Sequence, residues 1–187
     1  MTTIVTLEHP ALNQGKLRYR HLLGKKFTLG KDDCYEMMRR MFKDNLNIEL
    51  TSYARPNDFW LEDDIDPYVG NYAQEGFYLL DDPQLQDLRP FDTFLIGIPD
   101  PRRPEKTVTN HCAIYIGEGM VIHHRLGTLS AVTPYRGVLR NLTTHVIRHK
   151  DVPDLRDSKS TKLDILDHLL PHKRDFIMGV INEAKQK

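Results

Sequence analysis

Asn110-His111-Cys112-Ala113-Ile114-Tyr115-Ile116-Gly117-Glu118-Gly119-Met120-Val121-Ile122-His123-His124 is the stretch on which the fold of this chain turns. Two runs rich in β-branched residues flank Gly-Glu-Gly, the pattern of a β-hairpin with a three-residue loop and glycine at a left-handed position. Alternation puts His111, Ala113 and Tyr115 on one face and Cys112, Ile114 and Ile116 on the other. With Gly117 to Gly119 as the loop, Ala113 sits opposite His123. His111 is then diagonal to His123 on one face, at roughly 7–8 Å between α-carbons. A two-residue loop would shift the register and present His124 instead. The hairpin thus offers one histidine as a base and a neighbour to orient it.

A matching nucleophile stands far upstream, in Gly30-Lys31-Asp32-Asp33-Cys34-Tyr35. Asp32 or Asp33 can act as N-cap of a helix over residues 32–46, ended by Asn45-Leu46-Asn47, with Cys34 in the first turn. There, free backbone N–H groups favour a thiolate. Met37, Met38, Met41 and Phe42 follow Cys34 at helical spacing, and charged residues fall between them, so the thiol begins the apolar stripe of an amphipathic helix. A cysteine on such a face is ordinarily an inert core residue. The histidine hairpin lifts Cys34 above that reading. A triad follows: Cys34 as nucleophile, His111 as general base and then acid, and His123 fixing the His111 ring. The Cys34 backbone N–H would serve an oxyanion hole, and Asp33 is a cap rather than a catalytic group.

These segments lie in a longer ordered set: Asp33-Cys34-Tyr35, Tyr53 to Trp60, Leu88-Arg89-Pro90-Phe91-Asp92, Asn110-His111, Ala113 to Gly117, His123 to Ser130, Tyr135-Arg136-Gly137 and Thr144 to His149. From about Leu22 to His149 the chain resembles the NlpC-like cell-wall cysteine peptidases, and more closely their branch in tailed-phage tail-tip assembly proteins. In that family the third catalytic position lies twelve residues after the base histidine, the spacing from His111 to His123, so the resemblance favours His123 over His124. It implies a papain-like fold and hydrolysis of amide bonds in peptidoglycan stem peptides. It also implies tail-tip proteins as partners, synthesis in a host cytoplasm, and action at the bacterial cell wall from the phage tail. The chain departs from the wider family where Ser-Gly usually follows the nucleophile and Tyr35-Glu36 stand here. Pro-Gly-Asp appears as Pro90-Phe91-Asp92, and Tyr19 is poorly placed to be the family's site-lining tyrosine.

The remaining sequence sets limits. With 187 residues, 40% of them apolar, the chain suffices for one core with a modest appendix. Its formal net charge of zero gives no pull toward nucleic acid or membrane. The start lacks a signal-peptide pattern, and no run approaches a membrane span. Both cysteines are expected to be free. No cofactor is called for, and no metal: His145 and His149 share a strand face, but no acid sits at ligand spacing.

The fold class expected is α+β and papain-like, with the Cys34 helix packed on a mainly antiparallel sheet. Residues 1–150 form the peptidase domain, and 151–187 a linker and C-terminal helical extension. In that extension Pro153, Asp157, Ser158 and Ser160 read as linker. Leu163, Ile165, Leu166, Leu169 and Leu170 read as a short helix, and Ile177, Val180, Ile181 and Ala184 as the stripe of a last one. Residues 1–21 read as a poorly anchored arm or an edge strand. The acidic stretch 57–88, free of Lys and Arg, reads as a solvated face. Phe59 and Trp60 read as core, and the loop Pro99 to Pro104 as exposed and flanking the site. The alternative to a hydrolase is a structural tail-assembly protein on the same fold.

Overall fold

The computed structural model describes residues 3–61, 66–105 and 108–164. Its centre is an antiparallel sheet of six strands. They are β2 (Phe77–Leu79), β3 (Thr93–Ile96), β4 (His111–Gly117), β5 (Met120–His123), β6 (Ala131–Pro134) and β7 (Thr143–His149), in the order β2-β7-β3-β4-β5-β6. Helix α1 (Cys34–Leu46) packs across one face, with the short helices α2 (Pro67–Asn71) and α3 (Val138–Asn141) in the connections. This is the α+β arrangement the sequence implies.

Helix α1 forms for the reasons its sequence carries. Asp33 is extended and accepts the Glu36 N–H at 2.8 Å, satisfying one of the orphan donors of the first turn. Asn47 closes the other end in the left-handed conformation, at φ 57°. Between the caps, Met37, Met38, Met41 and Phe42 are all buried. They meet Leu95, Cys112, Ile114, Ile116, Ile122 and Ile147 on the facing side of the sheet. The sheet's other face has its own smaller core, where Phe94 stacks on Tyr135 with centroids 3.8 Å apart.

The β4–β5 turn reaches the expected register by an unexpected route. Only Glu118 and Gly119 lie between the strands, and an irregularity between Tyr115 and Gly117 restores the pairing of Ala113 with His123. A bulge supplies the one residue that the shorter turn lacks. His123, not His124, therefore shares the face of His111.

Both ends of the described chain differ from a loose arm and a linker. Strand β1 (Thr3–Glu8) pairs along its whole length with β8 (Lys159–Asp164) as a separate antiparallel ribbon. Of the two readings for residues 1–21, the strand is right and the poor anchoring is not. Val5 and Leu7 are buried in the α1 core, and the Tyr19 hydroxyl both accepts from Val5 N at 2.8 Å and donates to Val5 O at 2.9 Å. Ser160 and Leu163, read as linker and helix, lie in β8. Alternating contacts with β1 outweigh the weak helical spacing that begins at Leu163. The rest of that short helix and the last helix fall at 165–187, outside the described residues.

Near the start of β3, Phe91 adopts φ 75°, a left-handed conformation that costs a residue with a Cβ. Its ring is fully buried edge-on to Phe42, with centroids 5.5 Å apart. Asp92 beside it is clamped by Arg148 through two bonds of 2.7 and 2.8 Å and by the Arg89 N–H at 2.7 Å. This explains how phenylalanine can occupy the glycine position of the family pattern: aromatic burial offsets the backbone strain.

Candidate active site

Cys34 is the first residue of α1, and its N–H has no acceptor within the helix. The side chain is 6% exposed and lines a cleft of about 310 Å³ together with His111, Tyr68, Arg55, Trp60 and Arg125. Folding thus brings residues 34 and 111 to one opening. The thiol is held well below the ordinary cysteine value. Hydrogen bonding with Cys112 is the largest cause, opposed by burial and reinforced by the hydrogen bond and charge of His111 and by Tyr68. Cys112 and Tyr68 move the other way, pushed up first by burial and then by their ionised neighbours. The negative charge therefore resides on Cys34. At 3.2 Å from the sulfur, the Tyr68 hydroxyl is the donor in that contact.

His111 is joined to His123 by a bond of 3.0 Å between Nε2 of the first and Nδ1 of the second. His123 Nε2 in turn lies 3.1 Å from Thr133 Oγ1. Burial first, then the charges of His111 and Arg125, lower the His123 pKa to about 4, so this ring is neutral near pH 7. With His123 Nε2–H donating to Thr133, its Nδ1 accepts from His111 Nε2–H, and His111 Nδ1 is the nitrogen left for the thiol. Of the three predicted residues, Cys34 and His111 line one cleft, and His111 is bonded to His123.

Asp33 would oppose a thiolate if its charge were free. It is not, because Arg55 Nε donates to its Oδ2 at 2.6 Å, Gly30 N does the same at 2.6 Å, and the ion pair is almost wholly buried. The Arg55 guanidinium also lies 5.1 Å above the Tyr35 ring. Asp32, the other candidate cap, pairs with Arg40 at 2.9 Å instead. His124 is buried edge-on to Phe27, and its Nε2 has no partner among the described residues. His149 packs against Phe42 and Phe77, while His145 contacts Thr144. Both cysteines are free.

Sequence reasoning missed several of these groups. Tyr68 and Thr133 have no spacing relation to Cys34 or His111 that a pattern could catch. The acidic stretch is less solvated than it reads. Asp66 caps α2 and takes the Thr109 N–H at 3.0 Å, while Glu75 accepts from Tyr53 at 2.6 Å. Phe59 is core as read. Trp60, half-buried, packs against the same core and also edges the cleft, donating to Asp100 at 2.7 Å, and residues 99–101 of the flanking loop line the opening.

A family model described as NlpC/P60 family matches residues 24–148, more than half of the chain. The chain belongs to the NlpC/P60 family. Among curated proteins it is similar to the tail tip assembly protein K of Escherichia phage lambda. That likeness is 29% identity over 130 residues, covering 70% of this chain and 60% of that protein. It is equally similar to the protein of the same name from Escherichia phage N15, at 29% over 136 residues, covering 70% of this chain and 50% of that one. The chain therefore spans about half to three fifths of the length of these relatives. Among solved structures it matches NlpC1 from Trichomonas vaginalis with a TM-score of 0.43 and 20% identity, over 68% of this chain and 39% of that one. Among this NlpC/P60 chain's described residues, no group of three or more His, Cys, Asp or Glu side chains could hold a metal ion.

Proposed function

We propose that this chain is a cysteine endopeptidase that hydrolyses amide bonds in peptidoglycan stem peptides, carried on a phage tail. Cys34 is the nucleophile, His111 the base and then the acid, and His123 the residue that orients His111. One observation carries the reading: a thiol with a depressed pKa at a helix N-terminus shares a cleft with a histidine whose far nitrogen is held by a second histidine. The Cys34 sulfur attacks the scissile carbonyl, and the N–H groups of the first turn of α1 receive the developing oxyanion. His111 delivers its Nδ1 proton to the leaving amine and then deprotonates the water that releases the acyl-enzyme. Membership of the NlpC/P60 family supports the peptidase chemistry, and likeness to the two tail tip assembly proteins supports the tail. Purified sacculi decide it. The unsubstituted chain releases soluble muropeptides and Cys34→Ala does not; equal release by both ends the reading.

A second reading is favoured by the tail tip assembly role for which those relatives are named: a tail-assembly protein without wall hydrolysis. Electron microscopy of particles carrying Cys34→Ala separates the two. Normal tails with poor infection favour the peptidase, and absent tails favour assembly.

A further inference from the structure

The polar groups around the cleft are nearly all spent on one another. Asp33 is neutralised by Arg55, and Asp100 accepts from Trp60 and from Arg102. The Asn110 amide is consumed by Ile98, accepting from its N–H at 2.9 Å and donating to its carbonyl at 2.8 Å. Tyr68 is turned to the Cys34 sulfur. What remains uncommitted is the reacting pair and one cation, Arg125, which lines the cleft and has no carboxylate partner among the described residues. Its charge reaches the reacting groups, since it is a contributor, after burial and His111, to the low pKa of His123. Its backbone is fixed: the Arg125 carbonyl accepts from Thr128 N at 3.1 Å and from Thr128 Oγ1 at 2.9 Å. Two residues further on, Ser130 N bonds to Lys25 O at 3.0 Å. Among the described residues, the loop therefore presents an unpaired guanidinium on a held backbone at the mouth of a cleft whose other charges cancel.

We infer that Arg125 is a specificity residue that receives a substrate carboxylate beside the scissile amide, so that the cleft selects acidic peptides over their amidated forms. This rests on the reading of the cleft as a peptide-hydrolase site. A fork of N–H donors matches a carboxylate in two bonds, and an amide loses both the charge and one acceptor. Phe27 and Leu29 line the same cleft and give the rest of the peptide an apolar wall.

The test is calorimetric binding to the full chain carrying Cys34→Ala, which cannot turn over. The probes are the tripeptide L-alanyl-γ-D-glutamyl-diaminopimelate and versions amidated at one carboxyl at a time. Adding Arg125→Ala weakens binding of the free acid by about 10- to 100-fold. One amidated peptide is weakened by the amide itself and loses no more on the substitution, and Arg125→Lys restores part of the free-acid affinity. Equal loss for every peptide, or no loss for any, overturns the inference. Matching thermal melts exclude misfolding, which the exposed position of Arg125 makes a minor risk. The two readings fail separately. Sacculus digestion that depends on Cys34 but not on Arg125 overturns only the subsite. Carboxylate selection without digestion overturns only the hydrolase.

Discussion

At Cys34, hydrogen bonds from Cys112, His111 and Tyr68 and the His111 charge favour the thiolate, while burial favours the thiol. The balance falls on the ionised side, so iodoacetamide should alkylate Cys34 with a midpoint below about 8.5, the ordinary thiol value. Because Cys112 is the largest contributor, Cys112→Ala should move that midpoint upward, as should His111→Ala. An unmoved profile in both variants would show that neither group touches the sulfur. His123 makes a second prediction. Its folded pKa of about 4 lies below the unfolded value of about 6.5. Between those values the unfolded ring takes a proton that the folded ring refuses, so stability is fully present above about 6.5 and falls as pH drops toward 4. The loss is at most about 3 kcal/mol. Urea titrations from pH 7 to pH 4 measure it, and His123→Asn should flatten this part of the slope. Of this site, Cys34, His111 and His123 were legible because hairpin alternation and helix capping are local. The influence of Cys112 on the thiol was not, because it depends on how α1 packs on β4.

Two element-scale features carry more strain or buried charge than a routine helix or strand. At the start of α1, Asp33 caps the helix and neutralises Arg55. Asp33→Ala removes the cap, worth about 1 kcal/mol, and leaves a buried guanidinium without its carboxylate, for a total of about 4–6 kcal/mol. Asp33→Asn keeps the cap oxygen and loses only the ion pair, so chemical denaturation should rank it between Ala and the unsubstituted chain. At Phe91, glycine would relieve about 1 kcal/mol of left-handed strain but vacate a packed aromatic site worth about 3–5 kcal/mol. Phe91→Gly should therefore destabilise the chain although it restores the family's residue. A stabilised variant would show that the strain outweighs the packing. The α1 boundaries were readable because Asp33 and Asn47 act within one turn of their own position. The left-handed Phe91 was not, because nothing local favours it; Phe42, distant in sequence, holds it there.

For the molecule as a whole, the β1–β8 ribbon ties residues near both ends of the described chain to the α1 core. Removing residues 1–8 withdraws Val5 and Leu7 from that core and leaves β8 without a partner. Two buried aliphatic side chains contribute about 3–6 kcal/mol, a large share of a typical stability of about 5–15 kcal/mol. Circular dichroism melts should show a fall of about 10 °C or more, or loss of a cooperative transition. An unchanged melt would make the ribbon an accessory. By itself the sequence determined the capped amphipathic helix and the hairpin, since each follows from periods of a few residues and from turn chemistry, whereas the face shared by His111 and His123 rests on the bulge between Tyr115 and Gly117. Only the tertiary structure decided that β1 and β8 pair, that Tyr68 stands at the sulfur, and that Arg125 is, among the described residues, the cleft's uncommitted charge. Those facts depend on which distant surfaces exclude water together and which charges find partners there. No short window of residues encodes that.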